Sequence, residues 1–201
     1  MSIEINFSEI YRYMGYKGTT PDEDMMRRIE ICAGRVLDAS QPRSVSETAP
    51  LRFFEEDGLE LGRLMVTSKS LRKNMSGCEQ VIFFAATLGT GVDRVIARSS
   101  QSGRVSEAFI CQAAAAAIIE EYCDSVNDAL KEEFAQKGLY LRPRFSPGYG
   151  DFSIEHQRDI LNILRAQQRI GLTVTEAMLL APMKSVTAVI GAGRERRRES
   201  V

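Results

Sequence analysis

The chain has 201 residues, of which 44% are hydrophobic and 26% are charged, which suits one ordinary domain with a buried core. Its 26 basic residues nearly balance its 27 acidic ones, so the composition excludes the strong positive field that nucleic-acid binding needs. The N-terminus has no secretory hydrophobic region, and the longest apolar run, residues 113–119, is far shorter than a membrane span of about 20 residues. We therefore expect a cytoplasmic protein with no membrane partner.

The N-terminal part predicts two amphipathic helices. Apolar residues recur at helical spacing over residues 6–15. A capping box with Thr20 as N-cap, Pro21 at the first helical position and Glu23 completing it predicts a second helix, which ends before Pro42.

The next segment predicts strands. Residues 44–66 show short alternating stretches broken by proline and glycine, which is typical of small antiparallel strands with tight turns. A brief helix capped by Ser68 is predicted over residues 68–75. The near-continuous apolar run at residues 79–87 predicts a buried central strand.

The second half predicts a long helix over residues 105–136, centred on five consecutive alanines and ended by Gly138. A further helix is predicted from Ser153, as its cap, to Arg169, then a short segment at residues 175–176 and a last strand at 185–190. The order of elements favours a single α+β domain over residues 1–201, with a mainly antiparallel twisted sheet and flanking helices.

Two local patterns raise the question of a cofactor or metal. Gly89-Thr90-Gly91 follows a predicted strand, but Arg94 replaces the third glycine of a dinucleotide-binding motif, so a simple turn is favoured. The four cysteines show no paired spacing, and His156 is the single histidine. We expect buried free thiols, no metal site, and a solvated or structural role for His156.

The segment of residues 142–151 has a different character. Two prolines and two glycines stiffen it, and it also carries Arg142, Arg144, Phe145, Tyr149 and Asp151. An arginine beside exposed backbone groups suits a zwitterion, since it holds a carboxylate by two parallel hydrogen bonds, and an aromatic ring accommodates a sulfonium. By composition alone, a structural turn and a ligand loop both remain open, and the turn is the simpler interpretation.

The spacing Arg144-x-x-x-Gly148-Tyr149 within an Arg-Pro-rich loop resembles the S-adenosylmethionine-binding motif of the reactivation domain of cobalamin-dependent methionine synthase. The resemblance implies that Arg144 holds the ligand carboxylate, that the backbone near Ser146 lines the adenosine, and that Tyr149 faces the ligand and an incoming corrinoid. Gly148 belongs to the same cofactor-binding set. Phe145 could serve the core or the adenine.

The flanking segments carry the same resemblance over residues 80–192. Upstream, residues 84–91 are similar to a strand and glycine turn of the family, and downstream residues 170–188 match its order of glycine, Thr-Glu, proline and Ser-Val-Thr. Counting from the glycine turn places Glu120 at a ligand-contacting glutamate. Residues 1–75 match weakly, with no aspartate that corresponds to the family's N-terminal ligand contact, and the chain stops soon after Gly193, where the family's domain continues.

The resemblance implies an S-adenosylmethionine-binding protein that supports reductive remethylation of cob(II)alamin in trans. The cobalamin would be carried by a separate methionine synthase or related corrinoid protein, and a flavodoxin-type protein could donate the electron. The protein would then be part of a methyltransferase system rather than an independent enzyme. The alternatives are a sensor of S-adenosylmethionine and an accessory subunit of a corrinoid methyltransferase. The basic tail at residues 194–201 is expected to be solvated, or to contact an acidic partner.

Overall fold

The computed structural model describes residues 3–55 and 57–194. The helices are α1 (Phe7–Tyr13), α2 (Glu23–Ala39), α3 (Lys69–Asn74), α4 (Thr90–Gln101), α5 (Val105–Gln136), α6 (His156–Ile163) and α7 (Ala166–Ile170). The strands are β1 (Arg43–Phe53), β2 (Gly58–Leu61), β3 (Leu64–Thr67), β4 (Gln80–Thr87), β5 (Tyr140–Leu141), β6 (Thr173–Val174), β7 (Leu180–Ala181) and β8 (Ser185–Gly193).

The main sheet has the order β3-β2-β1-β4-β8-β5, and every pairing in it is antiparallel. Strand β4 lies between β1 and β8 and is buried from Val81 to Thr87, so the prediction of a buried central strand is confirmed. Strands β6 and β7 form a separate hairpin. The α+β class and the mainly antiparallel sheet are confirmed.

The alternation of side chains along β4 and β8 divides the core between two faces of the sheet. Ile82, Phe84 and Ile190 pack in a cluster with buried residues of α1, α2, α4 and α5. Phe83 and Val189 belong to a second cluster, with residues of β2, β3, α3, α6 and α7. Small side chains in the alanine run of α5 let it pack closely in the first cluster, which places a long, partly exposed helix beside β8.

Several predicted boundaries are confirmed. Helix α5 spans the predicted range, and Gly138 follows it with a left-handed backbone (φ +70°). Ser68 caps α3, since its side-chain oxygen accepts a hydrogen bond from the Leu71 amide at 3.0 Å. Helix α1 begins one residue later than predicted and ends before Gly15.

The predicted cap of α2 was wrong. The N-cap is Asp22, whose extended backbone lets its carboxylate accept the Met25 amide at 2.8 Å. Thr20 and Pro21 precede the helix, and Glu23 is its first residue. The Thr-Pro pair fits the capping-box pattern, whereas in the structure an aspartate two positions later reaches the same kind of amide.

The single helix predicted from Ser153 to Arg169 was also wrong. The Ser153 hydroxyl accepts the Glu155 amide at 3.3 Å in a local turn, and α6 begins only at His156. Arg165 adopts a left-handed backbone (φ +48°) and divides α6 from α7, although no glycine or proline marks the break. Residues 175–176 lie in the turn of the β6–β7 hairpin, and the last strand continues three residues beyond Ile190 to Gly193.

The glycine turn after β4 is explained by packing, as the simpler interpretation proposed. Gly89 has φ +79°, a conformation that favours glycine, and a Cβ on Gly91 would overlap the carbonyl oxygen of Ala39 at the end of α2. The glycines therefore let α4 start against α2.

All four cysteines are buried as free thiols. Over residues 3–55 and 57–194, no group of three or more His, Cys, Asp and Glu side chains is placed to hold a metal ion. No helix in the same part of the chain is long and apolar enough to cross a membrane. The predicted basic tail lies outside the described residues from position 195 onward.

Candidate functional site

The first half of the 142–151 loop runs along the outer edge of β8. The Arg142 amide donates to the Gly191 carbonyl at 2.7 Å, and Phe145 exchanges two backbone hydrogen bonds with Val189, both at 2.9 Å. The Phe145 side chain enters the second core cluster and is 8% exposed. Because neighbouring residues of an extended segment point to opposite sides, Arg144 is directed to the other face, where α5 lies.

Arg144 is held between two carboxylates of α5. Its Nη2 donates to Glu120 Oε2 at 3.2 Å, and its Nη1 lies 2.9 Å from Asp124 Oδ1 as an ion pair without hydrogen-bond alignment. The arginine side chain is 17% exposed, whereas those of Glu120 and Asp124 are 48% and 63% exposed. One positive and two negative charges give this triad, Glu120–Asp124–Arg144, a net charge of −1 that faces solvent.

Cys123 lies in the same turn of α5, on the buried side. Burial, against a smaller opposing effect of the Arg144 charge, raises the pKa of the Cys123 thiol to about 12. The thiol is therefore protonated at neutral pH and does not act as a nucleophile.

The second half of the loop forms a tight turn. The Tyr149 amide donates to the Ser146 carbonyl at 3.2 Å, and the Gly148 amide donates to the Phe152 carbonyl at 2.7 Å. Gly148 has φ +88°, and a Cβ there would lie 3.1 Å from Ile154 Cδ1, so both conformation and space favour glycine. The turn thus presents backbone groups in a fixed shape.

The Tyr149 side chain projects from this turn and is 69% exposed. It contacts the edge of Phe145, with ring centroids 5.3 Å apart. Such an exposed aromatic face suits an adenine ring, a sulfonium or the surface of another molecule. Phe145 itself serves the core.

His156 packs against the residue that follows the loop. Its ring stacks on Phe152 at 5.4 Å between centroids, and its Nδ1 lies 3.1 Å from Asp159 Oδ2. It supports the end of the loop through Phe152.

The structure brings Arg144 and Glu120 into contact and places Ser146, Gly148 and Tyr149 on the adjoining turn. Asp124 was missed by the sequence reasoning, although its spacing of four residues from Glu120 puts both on one face of α5. Roles for these residues toward a ligand stay predictions.

The region of the chain that contains these residues matches a known protein family. The profile of the family described as vitamin B12 dependent methionine synthase, activation domain, matches residues 71–200. The chain belongs to this family. A search of curated protein sequences gave no match for this activation domain.

Among solved structures, the activation domain is similar to one described as the MetH reactivation domain bound to AdoHcy. The two are 17% identical with a TM-score of 0.71, over 98% of this chain and 76% of that chain. At this identity the likeness shows the fold. The structural likeness also covers the part of the chain before residue 71, which the family profile does not match.

Proposed function

We propose that the activation domain binds S-adenosylmethionine at the Glu120–Asp124–Arg144 triad and the adjoining Ser146–Tyr149 turn. In this role it supports reductive remethylation of cob(II)alamin on a cobalamin-dependent methionine synthase or a related corrinoid protein, in trans. The observation that carries the proposal is the arginine held between two solvent-facing carboxylates, beside a rigid turn and an exposed tyrosine. The proposal is supported by the family of the chain, that of the methionine synthase activation domain, and by a similar solved domain that is described as bound to AdoHcy.

The charges of the triad suit the proposed ligand. S-adenosylmethionine carries a carboxylate, an ammonium and a sulfonium, a net charge of +1, which complements the net −1 of the triad. Arg144 can bind the carboxylate by charge-assisted hydrogen bonds, while Glu120 and Asp124 attract the cationic groups. The electrostatic match favours this ligand over a simple anion.

The chain's own contribution to remethylation is binding and orientation. S-adenosylmethionine supplies the methyl group and leaves as S-adenosylhomocysteine, and an external donor supplies the electron that returns cob(II)alamin to its reactive state. This transfer needs no acid, base or nucleophile from the protein. Fixing the sulfonium at the protein surface beside Tyr149 would make an otherwise bimolecular encounter effectively unimolecular once the corrinoid protein docks.

Calorimetry with S-adenosylmethionine tests the proposal. The wild type should bind, and Arg144→Met should weaken binding by about 1.5–3 kcal/mol, roughly 10- to 150-fold, because a charged hydrogen-bonding group is lost. Arg52→Met is a matched control, since it removes an exposed arginine–glutamate pair (3.7 Å to Glu60) on β1 and should leave binding unchanged. Failure of the wild type to bind would contradict the ligand assignment.

A second assay separates reactivation from sensing. The activation domain is added to a corrinoid protein in the Co(II) state with a reductant and S-adenosylmethionine, and methylcobalamin is followed by absorbance. Formation that depends on the domain and is lost with Arg144→Met supports reactivation. Binding without acceleration would favour the sensor.

A further inference from the structure

The acidic residue at the end of the loop is bound to the start of α3. Asp151 accepts hydrogen bonds from the Ser68 hydroxyl at 2.6 Å, the Lys69 amide at 2.8 Å and the Ser70 amide at 3.0 Å. The hydrogen bond from the Ser68 hydroxyl, together with those from the two amides, holds the pKa of Asp151 well below its usual range. Burial acts in the opposite direction but does not cancel this effect. Asp151 is therefore a carboxylate fixed at the helix N-terminus at neutral pH.

The basic residue at the start of the loop contacts the other end of the same helix. Arg142 is 6% exposed, and its Nη2 donates to the Ser76 carbonyl at 2.9 Å, just beyond α3. Beside it, the Asn74 side-chain amide donates to the Pro143 carbonyl at 3.4 Å. The loop thus contacts α3 at its first turn and just past its last residue.

The negative charge of Asp151 lies at the N-terminus of α3 and the positive charge of Arg142 lies near its C-terminus, which are the signs that a helix favours at those ends. A negative group is stabilised at the N-terminus, where amides are free, and a positive group is stabilised near the C-terminal carbonyls. At Gly150 (φ +58°) the packing is so close that a Cβ would lie 2.8 Å from Ser70 Oγ. The loop therefore packs closely against α3 from the first turn of the helix to just past its last residue.

The fixed ends restrict the part of the loop between them. Ten residues could extend over about 33 Å, yet the two contacts on α3 lie roughly 10 Å apart by helical rise. The excess length forms the arch that carries Arg144 and the Ser146–Tyr149 turn. The backbone pairing of Phe145 with Val189 holds the middle of the arch, so releasing the Asp151 end would mainly loosen the Ser146–Tyr149 turn, and a ligand would have to order that turn on binding.

We propose that Asp151 and Arg142 are positioning residues, which hold the Arg144–Tyr149 segment in its binding conformation by fixing both ends of the loop to α3. This inference rests on the proposed function for its ligand. Its first test, however, is the order of the loop in the ligand-free protein.

Hydrogen–deuterium exchange of the full chain measures that order. In Asp151→Ala, the amides of Tyr149 and Phe152 should exchange about tenfold faster, the scale expected for loss of one helix-capping group. Affinity for S-adenosylmethionine should fall about fivefold or more. Asp151→Asn keeps an acceptor oxygen without the charge and should restore part of both properties. Gly150→Ala, which displaces the same contact with Asp151 intact, should act in the same direction.

Asp22→Ala is the matched control, because Asp22 caps α2 through the Met25 amide at 2.8 Å and lies outside the loop. It should lower thermal stability while leaving loop exchange and ligand affinity close to those of the wild type. Unchanged exchange in Asp151→Ala, or equal acceleration in Asp22→Ala, would overturn the positioning role. A wild type that does not bind S-adenosylmethionine would overturn the proposed function instead, and the exchange comparison would still decide the role of Asp151.

Discussion

Replacing Glu120 by glutamine tests whether the net charge of the triad selects its ligand. Two carboxylates around Arg144 leave one negative charge in excess, and the substitution removes it while keeping a side chain of nearly the same shape. S-adenosylmethionine has a net charge of +1, whereas S-adenosylhomocysteine has none because its sulfur is neutral. The substitution should therefore weaken binding of the first ligand more than that of the second, because the two share the ammonium and only the first has the sulfonium.

The magnitude follows from exposure. Two unit charges 4 Å apart interact by about 1 kcal/mol in water and about 4 kcal/mol near a protein surface. Because the Glu120 side chain is 48% exposed, we expect a value toward the lower end, about 1–2 kcal/mol, or roughly a 5- to 30-fold loss of affinity for S-adenosylmethionine. The loss should shrink at high salt, which screens exposed charges.

Calorimetry with both ligands, at low and high salt, measures this selectivity. Glu132→Gln is the control, because Glu132 lies about three turns further along α5 and its substitution makes the same change in total charge. An equal loss of affinity for both ligands would refute the reasoning, since Glu120 would then act only on groups that the two ligands share.

Two further predictions concern stability. Gly91→Ala should lower the unfolding free energy by about 1–3 kcal/mol, because the new methyl group would overlap the Ala39 carbonyl. Gly34→Ala in α2 meets no atom within 4 Å and should raise the unfolding free energy by about 0.5–1 kcal/mol. Thermal unfolding measures both changes. Asp151 has a lowered pKa, so its stabilisation is complete above the ordinary aspartate value of about 3.9 and is lost as the pH falls below it toward the folded-state value. Unfolding curves between pH 5 and pH 3 should therefore show a smaller loss of stability in Asp151→Asn than in the wild type, and parallel curves would contradict this.

The parts of the fold that sequence predicted well have long, uniform patterns. Helix α5 and strand β4 each contain a long run of buried apolar residues. Such a run is enough to predict whether the segment is a helix or a strand and where it begins and ends. The break at Arg165 could not be predicted, because no residue type there signals it and the left-handed conformation depends on how α6 and α7 pack in the second core cluster. Strands β5, β6 and β7 have two residues each, too few for any periodicity.

The candidate site was predictable only in part for a related reason. Composition showed that the loop is rigid and contains an arginine, but its partners lie 20 to 24 residues earlier, on another element. Glu120 was placed beside the loop by resemblance alone. The register that sets Phe145 against Val189, and so turns Arg144 toward α5, is a long-range pairing that no local pattern encodes.

The position of the loop along β8 also affects how the protein meets other chains. An unpaired strand edge offers free backbone groups to any other strand, and proteins commonly protect such edges with short strands or proline. Here one outer strand, β3, has four residues, and the other, β5, has two and is followed by Pro143, which has no amide hydrogen to donate. Edges this short offer little backbone for another strand to pair with, so docking to a corrinoid protein would depend on side chains and bound ligand rather than on strand addition.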